Sequence, residues 1–468
     1  MATPEVSLRR TLSLTDIVLF NITVIFSLRG MATAAKMGPV AVLLWLVAVA
    51  AFLVPLGLAV TELSTRDPAV GGLYRWSRAA FGDLPGFLCG WMYWVSNVSY
   101  LPTLLLFLAG NVVYVWGRPD MGEMPSFVLP VCLVVLWVTA YLNVRGWTVG
   151  RIVTNLGATA SWVAAALLIV AGAIAFSRGG AATRFTWHAA AGAGVDLRTL
   201  GYFGTLSFAL AGLELAPVMG DEIKNPRRTL PRAILISSVV IALLYVMGTV
   251  AILVAVPPSE VSPISGGLGA VQAVAGHAGW GWMPSVAAAL VSFSVVAGVL
   301  AWLGGVARLP FAAGIDRFLP ASMSKLHPRY ATPYVSVWLQ AVVTTVLVVA
   351  SQAGASVREA YLMLLDMTII QYFVPFVFLF ASLPRLRRAA DPAHVIRVPG
   401  GAAGLWAVTL LGLAATVGTC VTAVIPPPDV AHTFQFEAKL WGGLILFTAL
   451  GYVLYWWFGG FETAHAAT

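Results

Sequence analysis

The chain has 468 residues, 59% of them hydrophobic and only 10% charged, whereas an ordinary soluble domain carries about 25% charged residues. This excludes a soluble globular or disordered chain, and three cysteines in or beside apolar stretches (Cys89, Cys132, Cys420) speak against a disulfide scaffold. The net charge of +8 is dispersed between apolar runs, so it does not mark a nucleic-acid-binding face.

Apolar runs of about 20 residues, each long enough to cross ~30 Å of hydrocarbon, recur along the whole length. They predict twelve transmembrane helices, near 14–35, 39–62, 86–116, 125–144, 150–176, 199–219, 230–256, 282–306, 333–351, 358–382, 404–424 and 438–458. The first run is too long for a signal peptide and lacks a small-residue cleavage site, so no cleaved leader is expected. With the N-terminus in the cytoplasm, 19 of the 27 Lys and Arg fall on the cytoplasmic side, seven fall outside, and Arg29 lies within a span. That asymmetry is the positive-inside rule and places both termini in the cytoplasm. The outer connections near 177–198 and 257–281 are rich in Gly, Ala, Pro and Ser. The chain therefore reads as a single all-α polytopic membrane domain in the plasma membrane.

Five places along the chain break the apolar pattern. The first span reads NITVIFSLRGMATAAKMGP (21–39), with Ser27, Leu28, Arg29 and Gly30 where the helix should be featureless. The connection DPAVGGLYRWSRAAFG (67–82) predicts a short interfacial helix after a glycine turn, and ARLPFAAGIDRFLPASMSKLHPRYATP (307–333) is basic and proline-punctuated. The sixth span, FALAGLELAPVMG (208–220), carries Gly212, Glu214 and Pro217. The tenth, YLMLLDMTIIQYFVPF (361–376), carries Asp366. An intramembrane charge is costly unless it faces a bundle interior or an aqueous cavity. Non-helical backbone at this depth is tolerated only where it is buried or lines a cavity. Interrupted first helices in two five-helix halves point to a transporter binding site near the midplane. Free N–H and C=O groups at such breaks can hold a ligand's carboxylate and amine. The alternative is a Gly/Pro kink with a satisfied internal ion pair, Arg29 with Asp366 among the candidates.

The segment FALAGLELAPVMGDEIKNPRRTLPRA (208–233) resembles the sixth helix and following loop of the amino acid–polyamine–organocation superfamily. TELSTRDPAVGGLYRWSRAAFG (61–82) resembles that superfamily's E-L…P…G-G-x-Y…F-G loop, and DRFLP (316–320) with HPRYATP (327–333) is similar to its loop after helix eight. The resemblance implies two inverted five-helix repeats, 14–176 and 199–382, with broken helices one and six, and peripheral helices at 404–458. Within the superfamily, the arginine/agmatine antiporters and related permeases supply further matches. Asn97 resembles their helix-three asparagine that contacts substrate, Phe208 an aromatic that closes over the ligand, and Trp302 the helix-eight tryptophan beside the site. With Ala211 at the second break, the implied substrate-binding set is Ser27, Leu28, Arg29, Gly30, Asn97, Phe208, Ala211, Gly212, Glu214, Trp302 and Asp366. Two departures stand out: Arg29 lies where relatives have small residues, and 154–169 lacks the helix-five lysine of many relatives, with Ser161 or a neighbour in its place.

The implied function is secondary active transport of an amino acid or related amine by alternating access, with a polyamine or other organocation as the alternative. No G-x-x-x-x-G-K-[ST] signature is present, so an ion gradient or solute exchange is expected to drive it. No repeated filter sequence suggests a channel. The S-x-x-K at Ser322–Lys325 sits on a loop without the S-D-N or K-T-G elements that an acylating enzyme needs. No H-E-x-x-H occurs, and no cofactor or metal site is expected. The implied partners are a small-molecule substrate, the lipid bilayer and a coupling proton or exchanged solute. A homodimer is compatible with the pattern.

Overall fold

In hydrocarbon every backbone N–H and C=O must find its partner inside the protein, so apolar spans fold as helices. The computed structural model describes residues 10–116, 118, 121–122, 124–186, 197–261, 268–316, 318–351, 357–388, 394–424 and 433–465. Parts of both expected outer connections, 187–196 and 262–267, lie outside the described residues. The described residues are almost wholly helical, and their only β feature is an isolated bridge between Leu12 and Ile223.

The first half of the chain contains α1 (Leu14–Ile25), α2 (Leu28–Ala35), α3 (Val40–Ala48), α4 (Val54–Arg66), α5 (Leu73–Phe81), α6 (Asp83–Val112), α7 (Pro125–Arg145) and α8 (Trp147–Gly179). The second half contains α9 (Leu197–Leu210), α10 (Leu215–Val218), α11 (Pro226–Ala255), α12 (Leu268–Ala278), α13 (Met283–Val306), α14 (Arg308–Ile315), α15 (Tyr334–Ser351) and α16 (Val357–Leu386). Two further helices, α17 (Gly401–Ala423) and α18 (Thr433–His465), follow. Among the described residues nine helices are long and apolar enough to cross a bilayer, or ten with the bent α1–α2 pair counted once. Two of the twelve expected spans fall short of that measure. The 199–219 run is split between α9 and α10, and the 333–351 run forms the 18-residue α15.

Local chemistry explains the ends and breaks that position the site. A capping box starts α1: Ser13 Oγ accepts from the Asp16 amide, and the Asp16 carboxylate accepts from Ser13 N at 2.9 Å. α1 ends at Ile25, and after a two-residue gap α2 starts at Leu28 at an angle of 43°, with Ser27 Oγ accepting from Gly30 N at 3.3 Å. The second break is enforced by Gly212, whose φ of 133° strains any residue with a side chain. A Cβ there would also lie 2.7 Å from Ile25 Cγ1. The glycine is thus needed twice, for its conformation and because α1 passes against it. The interfacial helix expected within 67–82 is α5, entered through Gly71 and Gly72 at φ 109° and 44°.

Candidate functional site

The two breaks face each other, and one side chain joins them. The Tyr245 hydroxyl, on α11, shares its proton between Ile25 O at 2.8 Å and Ala209 O at 3.2 Å, and accepts from Ser27 N at 3.2 Å. Backbone groups released by both interruptions are therefore satisfied at one oxygen. The ring is held by stacking on Trp45, with centroids 4.5 Å apart.

Beside the breaks lies a cavity of about 190 Å³. Helices α1 and α2 with their break bring Ser27, Arg29 and Gly30 to it, α6 brings Asn97, and α9 with its break brings Phe208 and Ala211. Trp302 comes from α13 and Asp366 from α16. Three expected residues stand elsewhere. Leu28 lines a smaller neighbouring cavity of about 50 Å³, which Ser161 and Ser294 also line. Gly212 and Glu214 are buried outside the lining.

Glu214 is instead the centre of a closed network. Tyr93 and Tyr372 both donate their hydroxyls to Oε1, at 2.6 and 2.5 Å, and Gly212 N donates to Oε2 at 3.1 Å. A carboxylate without a cation in an apolar interior needs such donors to offset its lost hydration. Tyr372 also lines the cavity, so it connects the cavity wall to the buried carboxylate. The three intramembrane charges do not form a single network. Among the described residues no hydrogen bond or ion pair reaches Asp366, and the Arg29 guanidinium lies 5.8 Å from the Phe107 ring centroid.

Four aromatic rings close one part of the cavity in a circuit. Tyr100 meets Phe208 at 5.8 Å, Phe208 meets Tyr372 at 5.7 Å, Tyr372 meets Trp302 at 5.9 Å, and Trp302 meets Tyr100 at 5.5 Å. All four contacts are edge-to-face, the favoured arrangement for aromatic quadrupoles. Trp302 Nε1 donates to Val24 O at 3.2 Å, which ties the circuit to the α1 break. Sequence reasoning missed Tyr93, Tyr100 and Tyr372. A signal was present: Tyr93, Asn97 and Tyr100 follow i, i+4, i+7 spacing and share one face of α6.

The face of the bundle that carries the start of α1 is tied shut by ion pairs. Glu222 takes a two-pronged contact from Arg308 at 2.6 and 3.1 Å, and its backbone oxygen accepts from Thr11 N and Leu12 N. Arg78 bridges Asp83 at 2.6 Å and Asp316 at 2.7 Å, while Tyr74 donates to Asp316 at 2.6 Å. Burial, and then the Asp316 carboxylate, raise the Tyr74 hydroxyl far above the ordinary phenol range, so it remains a donor at every physiological pH. Glu62 receives Arg387 at 3.1 Å and Val398 N at 2.7 Å. The cavity lies on the other side of the breaks, because Arg29 and Gly30 follow the α1 break and Asp366 precedes Tyr372 in α16.

Two interrupted helices meeting beside a cavity, with a circuit of aromatic rings and a buried carboxylate next to it, fit a secondary transporter built around broken helices. The sequence pattern of the amino acid permease family matches residues 12–454, and the chain belongs to that family. It is 30% identical over 449 residues to an uncharacterized transporter of Legionella pneumophila, covering 94% of this chain and 95% of the relative. A probable agmatine/putrescine antiporter of Lactococcus lactis is 24% identical, covering 94% and 93%. A glutamate/gamma-aminobutyrate antiporter of the same species is 22% identical, covering 81% and 78%. Among solved structures, MhsT in complex with L-phenylalanine superposes with a TM-score of 0.63 over 92% of this chain and 99% of that one, at 14% identity. The protein is thus a multi-pass secondary transporter working in lipid on a small-molecule substrate, and not an enzyme.

Proposed function

We propose that this transporter carries an amino acid or a related amine by alternating access across the cytoplasmic membrane, with both termini inside. One observation carries the reading: a guanidinium (Arg29) and a carboxylate (Asp366) face the same cavity of about 190 Å³. A zwitterion suits that pair, its carboxylate toward Arg29 and its ammonium toward Asp366, with the aromatic circuit against its apolar part. The named substrates of the two Lactococcus relatives, amines in one case and amino acids in the other, support this class. Residues 14–176 and 199–382 act in this reading as inverted five-helix halves, with 404–458 peripheral. The Glu214–Tyr93–Tyr372 network and the four rings above it form the closure that must open toward the α1 face. A coupling proton or an exchanged solute provides the drive, and a homodimer is compatible with the exposed faces of α17 and α18.

A second reading, a polyamine or other organocation, is favoured by Asp366 beside four aromatic rings, since cations bind aromatic faces. Flux into proteoliposomes decides. Uptake should saturate and be competed by amino acids, and Arg29→Met should weaken only carboxylate-bearing substrates. Asp366→Asn should weaken every substrate with an ammonium group. Flux that never saturates would indicate a channel, and uptake indifferent to both substitutions would remove the charge-reading site.

A further inference from the structure

Where the α6 wall of the cavity meets α15, two buried amides are bonded but only half satisfied. Gln340 Nε2 donates to Asn97 Oδ1 at 2.5 Å. Among the described residues Asn97 Nδ2 and Gln340 Oε1 have no partner, and neither does Thr344 Oγ1 one turn along α15. Asn97 is only 2% exposed and Gln340 is fully buried. Ser336, Gln340 and Thr344 stand four residues apart, so they share one face of α15, and all three are buried. Asn97 belongs to the cavity lining, whereas Gln340 does not. Native interiors leave few polar groups unpaired, and each one calls for an explanation.

An amide side chain has one acceptor end and one donor end, and a bond to either end orients both. Here the acceptor end of Asn97 is taken by Gln340. We propose that Gln340 is a positioning residue that holds Asn97 as a hydrogen-bond donor toward the ligand. The ligand group seated at Asn97 is then an acceptor oxygen, a carboxylate or carbonyl, and an ammonium is refused there. This rests on the reading of the cavity as the substrate site and adds a direction to it: the cationic end of the ligand is placed away from Asn97. A site built to donate to an oxygen discriminates strongly against the analogue that lacks it, because the buried donor is left unpaired.

The test measures binding to the purified full-length protein by thermal shift. The probes are the twenty amino acids, each beside the amine left when its α-carboxylate is removed. For the best-bound pair, Gln340→Met should weaken the amino acid by about tenfold, the worth of one hydrogen bond. The amine should change much less, so the preference ratio falls. A residue that only supports the fold would lower the melting point and shift both members together. Gln340→His, which can keep an N–H donor, should retain the wild-type ratio. Asn97→Asp leaves Gln340 in place with an oxygen to donate to and replaces the Asn97 donor by an acceptor, so it should reverse the preference toward the amine. A wild-type ratio in folded Gln340→Met, or an unreversed preference in Asn97→Asp, would overturn the inference. Asn97→Ala separates the two levels. If it leaves every affinity unchanged, or if the wild type binds no probe, the substrate-site reading itself fails. If it weakens binding while Gln340→Met keeps the ratio, only the positioning role fails.

Discussion

Removing one oxygen, in Tyr245→Phe, tests whether the two helix breaks act as a unit. The ring stays, with its stacking on Trp45 and its tilted contact to Phe26 at 5.3 Å. Trp45 Nε1 keeps its bond to Thr249 at 3.0 Å, so the loss is confined to the hydroxyl. That hydroxyl serves Ile25 O, Ala209 O and Ser27 N. A buried backbone group left unpaired costs about 1–3 kcal/mol, but water in the adjoining cavity can reach part of this cluster. The net loss should therefore be about 2 kcal/mol rather than the sum over three groups. Thermal unfolding in detergent should show it as a lower Tm. Uptake should slow more than binding weakens, because the α1 and α9 breaks would no longer be tied through one atom. A Tyr245→Phe protein with the wild-type melt and wild-type turnover would refute the idea that this hydroxyl couples the breaks.

The other substitutions bear on separate parts of the structure. Gly212→Ala combines a disfavoured backbone conformation with a contact on Ile25, and should cost about 1–3 kcal/mol, read as poor yield and a lowered Tm. Arg308→Met strands the Glu222 carboxylate in a pair whose side chains are 2% and 5% exposed, and should destabilise by about 3–5 kcal/mol; adding Glu222→Gln should recover most of the loss. In a background lacking Cys89, Cys132 and Cys420, Ala79→Cys on α5 should react with an impermeant thiol reagent only from the cytoplasm, and Ala181→Cys only from outside. The reverse pattern would overturn the proposed orientation. Glu214→Gln keeps an oxygen able to accept from Tyr93 and Tyr372 but turns its NH2 donor toward the Gly212 N–H. Its Tm should fall in line with a loss of about 1–3 kcal/mol, the cost of one unpaired buried donor, while transport and its pH profile change. A folded variant with the wild-type rate and profile would show that the charge at Glu214 plays no part in turnover.

Both breaks were legible in the sequence for a physical reason. Gly, Pro or a charge inside an apolar run is costly; where they cluster the backbone opens, whereas lone prolines such as Pro102 and Pro375 stay inside continuous helices. FSLRG and AGLEL could be read without a structure on that ground. The direction in which each charge points was not legible. Glu214 costs the same to bury whether its oxygens meet a ligand or two phenols, and its phenolic partners lie 121 and 158 residues away in sequence. For the same reason Tyr245 passed as an ordinary aromatic in α11. Its neighbours in sequence are apolar, and its function depends on two backbone oxygens brought there by the fold. The polar stripe on α15 could be seen as a four-residue spacing. Its meaning came only with Asn97, 243 residues away.

The ties on the α1 face also rank themselves by burial, and that ranking bears on what must give way for the cavity to change sides. Arg78 and Asp316 are 33% and 21% exposed, Arg78 and Asp83 33% and 52%. Pairs of that kind contribute about 0–1 kcal/mol and are screened by salt. They can be remade at little cost when helices shift. Glu222–Arg308 is different: it is buried, two-pronged, and joined through the Glu222 backbone to Thr11 and Leu12 at the entry to α1. Separating it without water would leave two buried charges unpaired, so it can open only as water enters. In the proposed alternating access, opening of the α1 face should therefore be coupled to hydration at Arg308. The N-terminal segment should move with Glu222, because its backbone is bonded to that residue.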